Sequence, residues 1–271
     1  MFTDEPFLGN PVAVVHGADD LTDQEMRRFA NWTNLSETTF LLAPADERAD
    51  YRVRIFTPER ELPFAGHPTL GSAHAWLEAG GPPARQDVVI QECGVGLVPV
   101  RRSPHGGHLA FKAPPLIRSG PVEEPVLDEV AAALGIKRED ILDAQWADNG
   151  PGWVAVELAS ADAVLALTPG VTPRDIGVFG PYPPGSPEAF EVRAFTPLIS
   201  GAGEDPVTGS LNASLAMWLL ASGKASAPYT ASQGTALGRR GRVHVTADAD
   251  ADGAIWIGGG THTLISGSVH L

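Results

Sequence analysis

An internal repeat constrains the fold of this chain more than any other feature of its sequence. The segment FTPERELPFAGHPTLGSAHAWL at 56–77 resembles FTPLISGAGEDPVTGSLNASL at 195–215. Within it, His67 and Asp205 lie 138 positions apart (205 − 67). Three further pairs keep this spacing: Pro68 and Pro206, Gly71 and Gly209, and Ser72 and Ser210. Because the spacing is about half of the 271 residues, the repeat predicts two structurally similar halves.

Two weaker matches extend the repeat in the same order along the chain. GNPVAVV at 9–15 resembles NGPGWVAV at 149–156, and QECGVGLVPV at 91–100 resembles SQGTALGRRGRVHV at 232–245. Matching segments in the same order favour a duplication over a chance recurrence of the FTP tripeptide. We therefore expect an N-terminal lobe at 1–115 and a C-terminal lobe at 116–271. The C-terminal strand is an open alternative for closing the first lobe.

Charge and composition exclude several classes of function. The chain has 33 acidic residues against 19 lysines and arginines, a net charge of −14. This excess argues against binding to nucleic acid or to an anionic membrane, and an anionic substrate would need local donors. No apolar run is long enough for a membrane span, and no secretory signal is recognisable. The single cysteine, Cys93, permits no internal disulfide, so we expect a cytoplasmic protein.

The start of the chain is abrupt. Met1-Phe2-Thr3 leads directly into a turn-like DEPFLGNP segment. A complete first strand would have more residues before it, so this pattern predicts a truncated N terminus or a misassigned start.

Local patterns predict a strand-rich chain with two unusual helices. Thirty glycines and 24 prolines favour many turns. Thr22 to Glu25 form a capping-box pattern that opens a helix. The predicted helices at 70–78 and 208–221 are apolar on most sides, which is typical of helices surrounded by protein. Each lobe is therefore predicted to be a curved sheet around one buried helix, and one or two last strands are expected at 261–271.

The two buried helices begin at the distinctive motifs of the repeat, GHPTLGS and GEDPVTGS. Helix N termini present unpaired N–H groups and a partial positive charge. Two such starts in one cleft between the lobes would bind a carboxylate, with His67 and Asp205 on opposite walls. Four small residues would assist by close backbone approach or as hydroxyl donors: Gly66, Gly209, Ser72 and Ser210.

Structural roles for these side chains stay open on sequence alone. His67 and Asp205 would then only cap their helices, and Ser72 and Ser210 would only be small packing residues.

Glu37 is the remaining candidate, because it enters an apolar strand in NLSETTFLL. Burial would suit its carboxylate to general acid/base work. The alternatives are a capping box with Asn34 or the exposed start of a strand.

Other chemistries have no recognisable pattern in this chain. Cys93 has no counterpart cysteine in the second half and is interpreted as a core thiol. The sequence contains no HExxH or paired metal-ligand spacing, no GxxxxGK[ST] phosphate loop and no GxSxG nucleophile elbow. We therefore expect neither a metal nor a cofactor.

Five motifs together resemble one known family. FLGNPVAVV, NLSETTFLL, FTPERELPFAGHPTLGSAH, GEDPVTGSLNASLA and SQGTALGRRGRV resemble the phenazine-biosynthesis isomerase (PhzF-like) family over essentially the whole chain. That family shares its fold with diaminopimelate epimerase. The resemblance implies an α+β fold of two pseudo-symmetric lobes, each a curved, mostly antiparallel sheet or barrel wrapped around a central buried helix.

The resemblance also implies roles for individual residues. Glu37 matches the family's general acid/base glutamate, and His67 matches the histidine that holds and polarises the substrate. Asp205 matches the aspartate that anchors polar substituents and helps to set the proton path. Three residues match the groups near the substrate carboxylate: Gly66, Gly209 and Ser210. The related epimerases have a cysteine at each helix start. This chain has His67 and Asp205 at those positions, so racemisation by two thiols is disfavoured.

The implied activity is that of a cofactor-free isomerase, which moves a proton within a small unsaturated or cyclic carboxylic acid. For the member that gives the family its name, the substrate is trans-2,3-dihydro-3-hydroxyanthranilate, a phenazine precursor, and another secondary-metabolite precursor is an alternative for this chain. Two other functions stay open. One is an epimerase or racemase of an amino or imino acid that uses Glu37 and a second base. The other is a catalytically silent binding protein on the same scaffold. The resemblance further implies a homodimer.

Overall fold

The computed structural model describes residues 1–102, 108–197, 203–249 and 253–270. The chain forms two compact units, one of Met1–Lys112 with Gly258–Leu271 and one of Ala113–Ile257. Among the described residues, no helix has the length and apolar character needed to cross a membrane.

Where the structure describes the first unit, it forms one mixed sheet and two α-helices. Its elements are β1 (Ala13–Val15), α1 (Asp23–Thr33), β2 (Thr38–Leu42), β3 (Tyr51–Phe56), β4 (Glu61–Leu62), α2 (Gly66–Glu78), β5 (Val88–Cys93), β6 (Gly96–Arg102) and β7 (His108–Lys112). The strand order is β1-β2-β3-β5-β6-β7, and β4 pairs with β3. The β1–β2 and β3–β5 pairs are parallel, and the other pairs are antiparallel.

The described residues of the second unit form the same kind of sheet and three α-helices. Its elements are β8 (Arg118–Pro121), α3 (Glu124–Leu134), β9 (Asp143–Asp148), β10 (Val154–Glu157), α4 (Ala161–Leu165), β11 (Ile176–Pro181), β12 (Phe190–Phe195), β13 (Glu204–Asp205), α5 (Gly209–Ala221), β14 (Tyr229–Gln233) and β15 (Gly241–Ala247). The last strand, β16 (Ile255–Gly260), runs across the boundary between the units. The order is β15-β14-β12-β11-β10-β9-β8, with β13 paired to β12.

The two units repeat one topology, which confirms the duplication predicted from the sequence. The series β1-α1-β2-β3-β4-α2-β5-β6 matches β10-α4-β11-β12-β13-α5-β14-β15. The parallel pairs β10–β11 and β12–β14 correspond to β1–β2 and β3–β5. Residues 198–202 of the second repeat copy lie outside the described residues.

A buried helix packs on the sheet of each unit, as its apolar sequence predicts. The first eight residues of α2 are all buried, and α5 is buried along most of its length. Glycines permit the close approach of these helices to the strands. A Cβ atom on Gly177 would lie 2.2 Å from Cδ1 of Leu211 in α5, and one on Gly71 of α2 would lie 2.5 Å from Cγ1 of Val12.

The capping box predicted at the start of α1 is confirmed. The Glu25 backbone N–H donates to Thr22 Oγ1 at 3.3 Å, and the Thr22 N–H donates to the Glu25 carboxylate at 2.8 Å. The helix ends at Asn34, which has left-handed backbone geometry (φ 53°). Met26 and Ala30 of α1 pack with the buried side chains of the first unit. The helix therefore packs against β2 and β3.

Some sequence-based boundaries were wrong. The expected strands at 261–271 are not formed in 261–270, and Leu271 lies outside the described residues. Thr261 and Thr263 instead contact the two ring nitrogens of His74 at 3.0 Å each, so side chains rather than a β-ladder tie this segment to α2. Helix α2 begins at Gly66, four residues before the predicted start. The sequence pattern also missed six strands: β4, β8, β9, β11, β13 and β14.

Candidate active site

Glu37 and His67, two of the predicted site residues, lie in contact. Glu37 immediately precedes β2, and His67 is the second residue of α2. Their side chains are 15% and 3% exposed, and His67 Nε2 lies 3.1 Å from Glu37 Oε2. The parallel pairing of β1 with β2, together with the start of α2, positions this cluster at one edge of the sheet. The alternative in which Glu37 forms a capping box with Asn34 is wrong, because no helix begins there.

The contact between Glu37 and His67 has an ion-pair distance but not the angles of a hydrogen bond. Within the described part of the chain, Glu37 Oε2 and His67 Nε2 are both buried without a hydrogen-bond partner. Burying such atoms unpaired costs about 1–3 kcal/mol for each group. Native proteins pair most of their buried polar atoms, so an exception requires an explanation. Both atoms retain the capacity to bond to a third group, such as a bound substrate.

Asn10 is a functional candidate that the sequence analysis did not identify. It is fully buried, and its Nδ2 lies 3.2 Å from Nδ1 of His67. Its backbone is fixed by two hydrogen bonds to Met1, at 3.0 Å and 2.8 Å. The signal that would have found it is the repeat itself, because Asn149 occupies the corresponding place in the second unit and also bonds to a helix start. Its Nδ2 donates to the Ser210 carbonyl at 2.9 Å.

The start of α2 also carries Gly66, which is the first residue of the helix. The N-cap is Ala65, which has no polar side chain and therefore makes no side-chain cap. Thr69 donates to the Ala65 carbonyl at 2.9 Å and accepts from Gln91 Nε2 at 3.0 Å. Gln91 thus anchors this helix start to β5. The backbone N–H groups of the first turn have no acceptor within the helix and lie at the positive end of the helix dipole.

Ser72 lies one and a half turns further along α2 and has a structural contact. Its hydroxyl donates to Thr39 Oγ1 at 2.9 Å, and both side chains are fully buried. This hydrogen bond joins α2 to β2, so the Ser72 hydroxyl proton is already in use. The role of Ser72 in substrate binding stays a prediction.

Asp205 lies in β13 of the second unit, where it pairs with Ala194. It is not the N-cap of α5, because that position belongs to Thr208. Thr208 Oγ1 donates to Asp205 Oδ2 at 2.5 Å, so this hydroxyl is directed to the carboxylate and does not cap the helix. The structural alternative for Asp205, a simple helix cap, is therefore wrong, and His67, which lies inside α2, is not a cap either.

Gln233 at the end of β14 holds the segment between Asp205 and α5 in place. Its Nε2 donates to the Asp205 carbonyl at 3.1 Å and to Thr208 Oγ1 at 2.9 Å. Its Oε1 accepts from the Thr208 N–H at 3.0 Å and from Asn212 Nδ2 at 2.8 Å. Gln91 has the equivalent place in the first unit, and the two glutamines lie in the matched segments of the repeat. Each unit therefore uses a strand glutamine to fix the start of its buried helix.

Ser210 and Gly209 begin α5 in the second unit. Ser210 Oγ accepts from Trp153 Nε1 at 3.1 Å, and its carbonyl accepts from Asn149. Both residues are buried. The structure thus brings Glu37, His67 and Gly66 together in the first unit and Asp205, Gly209 and Ser210 together in the second. That the two groups form one site stays a prediction.

Cys93 has the environment of an unreactive thiol. Its Sγ lies 3.6 Å from the Gly96 carbonyl oxygen. Burial raises the pKa of the Cys93 thiol above its ordinary value of 9.0. A thiol with a raised pKa holds little thiolate near neutral pH and is a poor nucleophile.

Comparison with known proteins gives consistent matches over the whole chain. A model of the family described as phenazine biosynthesis-like protein (PhzC-PhzF) matches residues 1–267. Antisense-enhancing sequence 1 of Schizosaccharomyces pombe is 38% identical over 292 residues, which cover 98% of this chain and 95% of the relative. The trans-2,3-dihydro-3-hydroxyanthranilate isomerase of Pseudomonas aeruginosa is 33% identical over 285 residues, which cover 100% and 97%.

A solved structure has the same fold. The phenazine biosynthesis protein of the PhzF family from Bacillus anthracis aligns with a TM-score of 0.79 at 24% identity, over 96% of this chain and 93% of that chain. The expected α+β, epimerase-like fold is confirmed by this similarity.

Proposed function

This chain is an isomerase that belongs to the phenazine biosynthesis-like family, and on that premise we propose that it moves a proton within a small unsaturated or cyclic carboxylic acid by acid/base catalysis at Glu37. The first candidate substrate is trans-2,3-dihydro-3-hydroxyanthranilate, the compound in the name of the P. aeruginosa relative. Another secondary-metabolite precursor of the same chemical class is the alternative.

The buried pair of Glu37 and His67 is the observation that carries this proposal. A carboxylate removes a proton from one carbon and, once protonated, returns it to another carbon on the same face of the substrate. Glu37 Oε2 and His67 Nε2 are shielded from water and keep unused hydrogen-bonding capacity. In such a site His67 stabilises the charge that develops as the carbon–hydrogen bond breaks, because electrostatic interactions are strong away from water.

The helix starts supply the expected recognition of the substrate carboxylate. The first turn of α2, at Gly66 and His67, carries backbone N–H groups at the positive end of the helix dipole, and the His67 side chain of this turn contacts Glu37. This local field serves a chain of net charge −14, whose overall field repels an anion. Asp205, Gly209 and Ser210 are proposed to complete substrate binding.

Proton exchange tests this function. The purified protein is incubated in deuterated water with trans-2,3-dihydro-3-hydroxyanthranilate and with a panel of unsaturated, amino and imino acids, and products are followed by NMR. We expect a shifted double bond in the product of one carboxylic acid. Inversion at a single carbon without a shifted double bond would instead support an epimerase, and binding without any reaction across the panel would support a silent binding protein.

A further inference from the structure

We propose that Asn10 is a positioning residue that fixes the tautomer of His67, so that the imidazole directs an Nε2–H towards Glu37. The proposal deepens the proposed function and rests on it. It assigns a role to a buried asparagine that lies three residues before β1, at the same end of the β1–β2 pair as Glu37. Parallel strands begin at one edge of a sheet, so the fold brings these two positions together with the start of α2.

The donor chemistry of the amide determines the position of the proton. Asn10 Nδ2, 3.2 Å from His67 Nδ1, has hydrogens to donate and no lone pair to accept with. Nδ1 must therefore be the acceptor and carry no proton. In a neutral imidazole the proton is then on Nε2, which is the nitrogen 3.1 Å from the Glu37 carboxylate.

The opposite arrangement is electrostatically unfavourable. If the amide were rotated, its oxygen would accept a proton from Nδ1, and Nε2 would direct a lone pair at the Glu37 carboxylate oxygen 3.1 Å away. Two acceptors at that distance repel each other in a buried site, where charges are poorly screened. The tautomer selected by Asn10 is therefore the one that places a proton, and not a second lone pair, beside the Glu37 carboxylate.

This arrangement gives His67 and Glu37 different roles. A histidine with its proton on Nε2 has that proton available for the substrate beside the Glu37 carboxylate, and its only lone pair is occupied by Asn10. It is not available as the base. Glu37 alone then takes up and returns the transferred proton, with His67 as the fixed donor beside it.

The test is a direct reading of the His67 tautomer. The protein is labelled with ¹⁵N-histidine, and long-range ¹H–¹⁵N spectra are recorded without substrate, with the His67 signals assigned by comparison with His67→Gln. In the wild-type protein we expect a protonated Nε2 and an unprotonated Nδ1. A protonated Nδ1 in the neutral wild-type ring would overturn the proposal, and this outcome needs no Asn10 variant to fold.

Asn10→Asp provides the matched perturbation. A carboxylate can only accept, so we expect the proton to appear on Nδ1 and kcat to fall about 10–100-fold, the usual scale for groups that orient a functional histidine, with a smaller change in KM. The control is Asn31→Asp, the same change at an exposed residue of the first unit whose amide donates to the Pro58 carbonyl. It should leave both the spectrum and kcat unchanged. A folded Asn10→Asp with an unprotonated Nδ1 would contradict the proposal.

The two readouts separate this proposal from the function on which it rests. The spectra require no substrate. If the tautomer follows Asn10 but no acid is turned over, the proposed function fails and the positioning role stands. If turnover depends on Glu37 but the His67 tautomer is the same in Asn10→Asp as in wild type, the positioning role fails.

Discussion

Among single residues, buried polar side chains differ in how completely their hydrogen-bonding groups are paired. Arg193 is buried, yet its guanidinium forms two hydrogen bonds to Glu204, at 2.9 and 2.7 Å, and two to backbone carbonyls of the second unit. Its charge is fully compensated, as a structural ion pair requires. Glu37 and His67 contrast with it, because atoms of both are buried with bonding capacity unused.

Glu191, which we place outside the site, tests how the burial of a carboxylate changes its pKa and the stability of the protein. Its carboxylate accepts hydrogen bonds from Tyr182 at 2.8 Å and Thr235 at 3.2 Å. Burial raises the pKa of Glu191 above its ordinary value of 4.5, although these hydrogen bonds oppose the shift. The folded protein therefore binds this proton more tightly than the unfolded chain. As pH rises from 4.5 through the folded pKa, ionisation of Glu191 lowers stability.

Glu191→Gln should remove this dependence on pH. We expect the variant to gain stability relative to wild type as pH is raised from about 4.5 to 8, measured by urea unfolding at each pH. Glu47→Gln, the same change at an exposed residue, should run parallel to wild type. A Glu191→Gln curve that is also parallel to wild type would show that burial does not raise this pKa.

Sequence reasoning proposed Glu37, His67 and Asp205 as site candidates because each lies in a distinctive motif, but it did not single out Asn10, Gln91 or Gln233. The missed residues act through amide hydrogen bonds to groups far away in the sequence, and a single amide has no local pattern. Their roles depend on strand pairing: β1 with β2 for Asn10, β3 with β5 for Gln91 and β12 with β14 for Gln233.

Among the elements, the loop after β14 determines how Gln233 reaches the start of α5. Gly234 has a left-handed backbone (φ 91°), and a Cβ atom there would lie 2.6 Å from the Pro206 carbonyl oxygen. Gly238 in the same loop also has a positive φ (67°), but a Cβ atom there would contact nothing within 4 Å. Alanine substitutions at the two positions therefore distinguish the cost of a left-handed backbone from the cost of steric overlap.

Gly234→Ala should destabilise the protein more than Gly238→Ala. We expect about 1 kcal/mol for Gly238→Ala from the left-handed backbone alone, and about 2–4 kcal/mol for Gly234→Ala, because the overlap with Pro206 is added. Urea unfolding of both variants measures the difference. Equal losses of stability would show that the close approach to Pro206 has no energetic consequence.

Helices and strands were predictable from the sequence where residues close together in the chain determine them. The capping box at Thr22 fixed the start of α1, and the apolar run of α5 predicted its burial. Strands such as β8 and β11 were missed because Gly120, Gly177 and Pro181 are typical of turns, whereas here tertiary packing selects them. Gly177 in particular is required by the close contact with Leu211. The 261–270 segment shows the reverse: its residues have strand character, but side-chain contacts to His74 replace a ladder.

For the whole molecule, the repeated topology gives each unit a buried helix that starts at the matching position. The two copies keep the strand order and the glutamine anchors but differ at the matched positions of His67 and Asp205.

The resemblance to the family also predicts a homodimer. Light scattering coupled to size-exclusion chromatography should give twice the chain mass of 28.5 kDa at micromolar concentration. The mass of a single chain under these conditions would contradict that prediction.

The transfer of the proton by Glu37 is the central claim, and turnover by Glu37→Gln tests it most directly. The variant keeps the size and most hydrogen bonds of the side chain but cannot cycle a proton. With the substrate that the wild-type protein converts, kcat should fall by about 10²–10⁴-fold or more while substrate binding stays close to wild type. Glu47→Gln should retain full activity. Turnover of Glu37→Gln within a few-fold of wild type would contradict the account and leave His67 or Asp205 as the base.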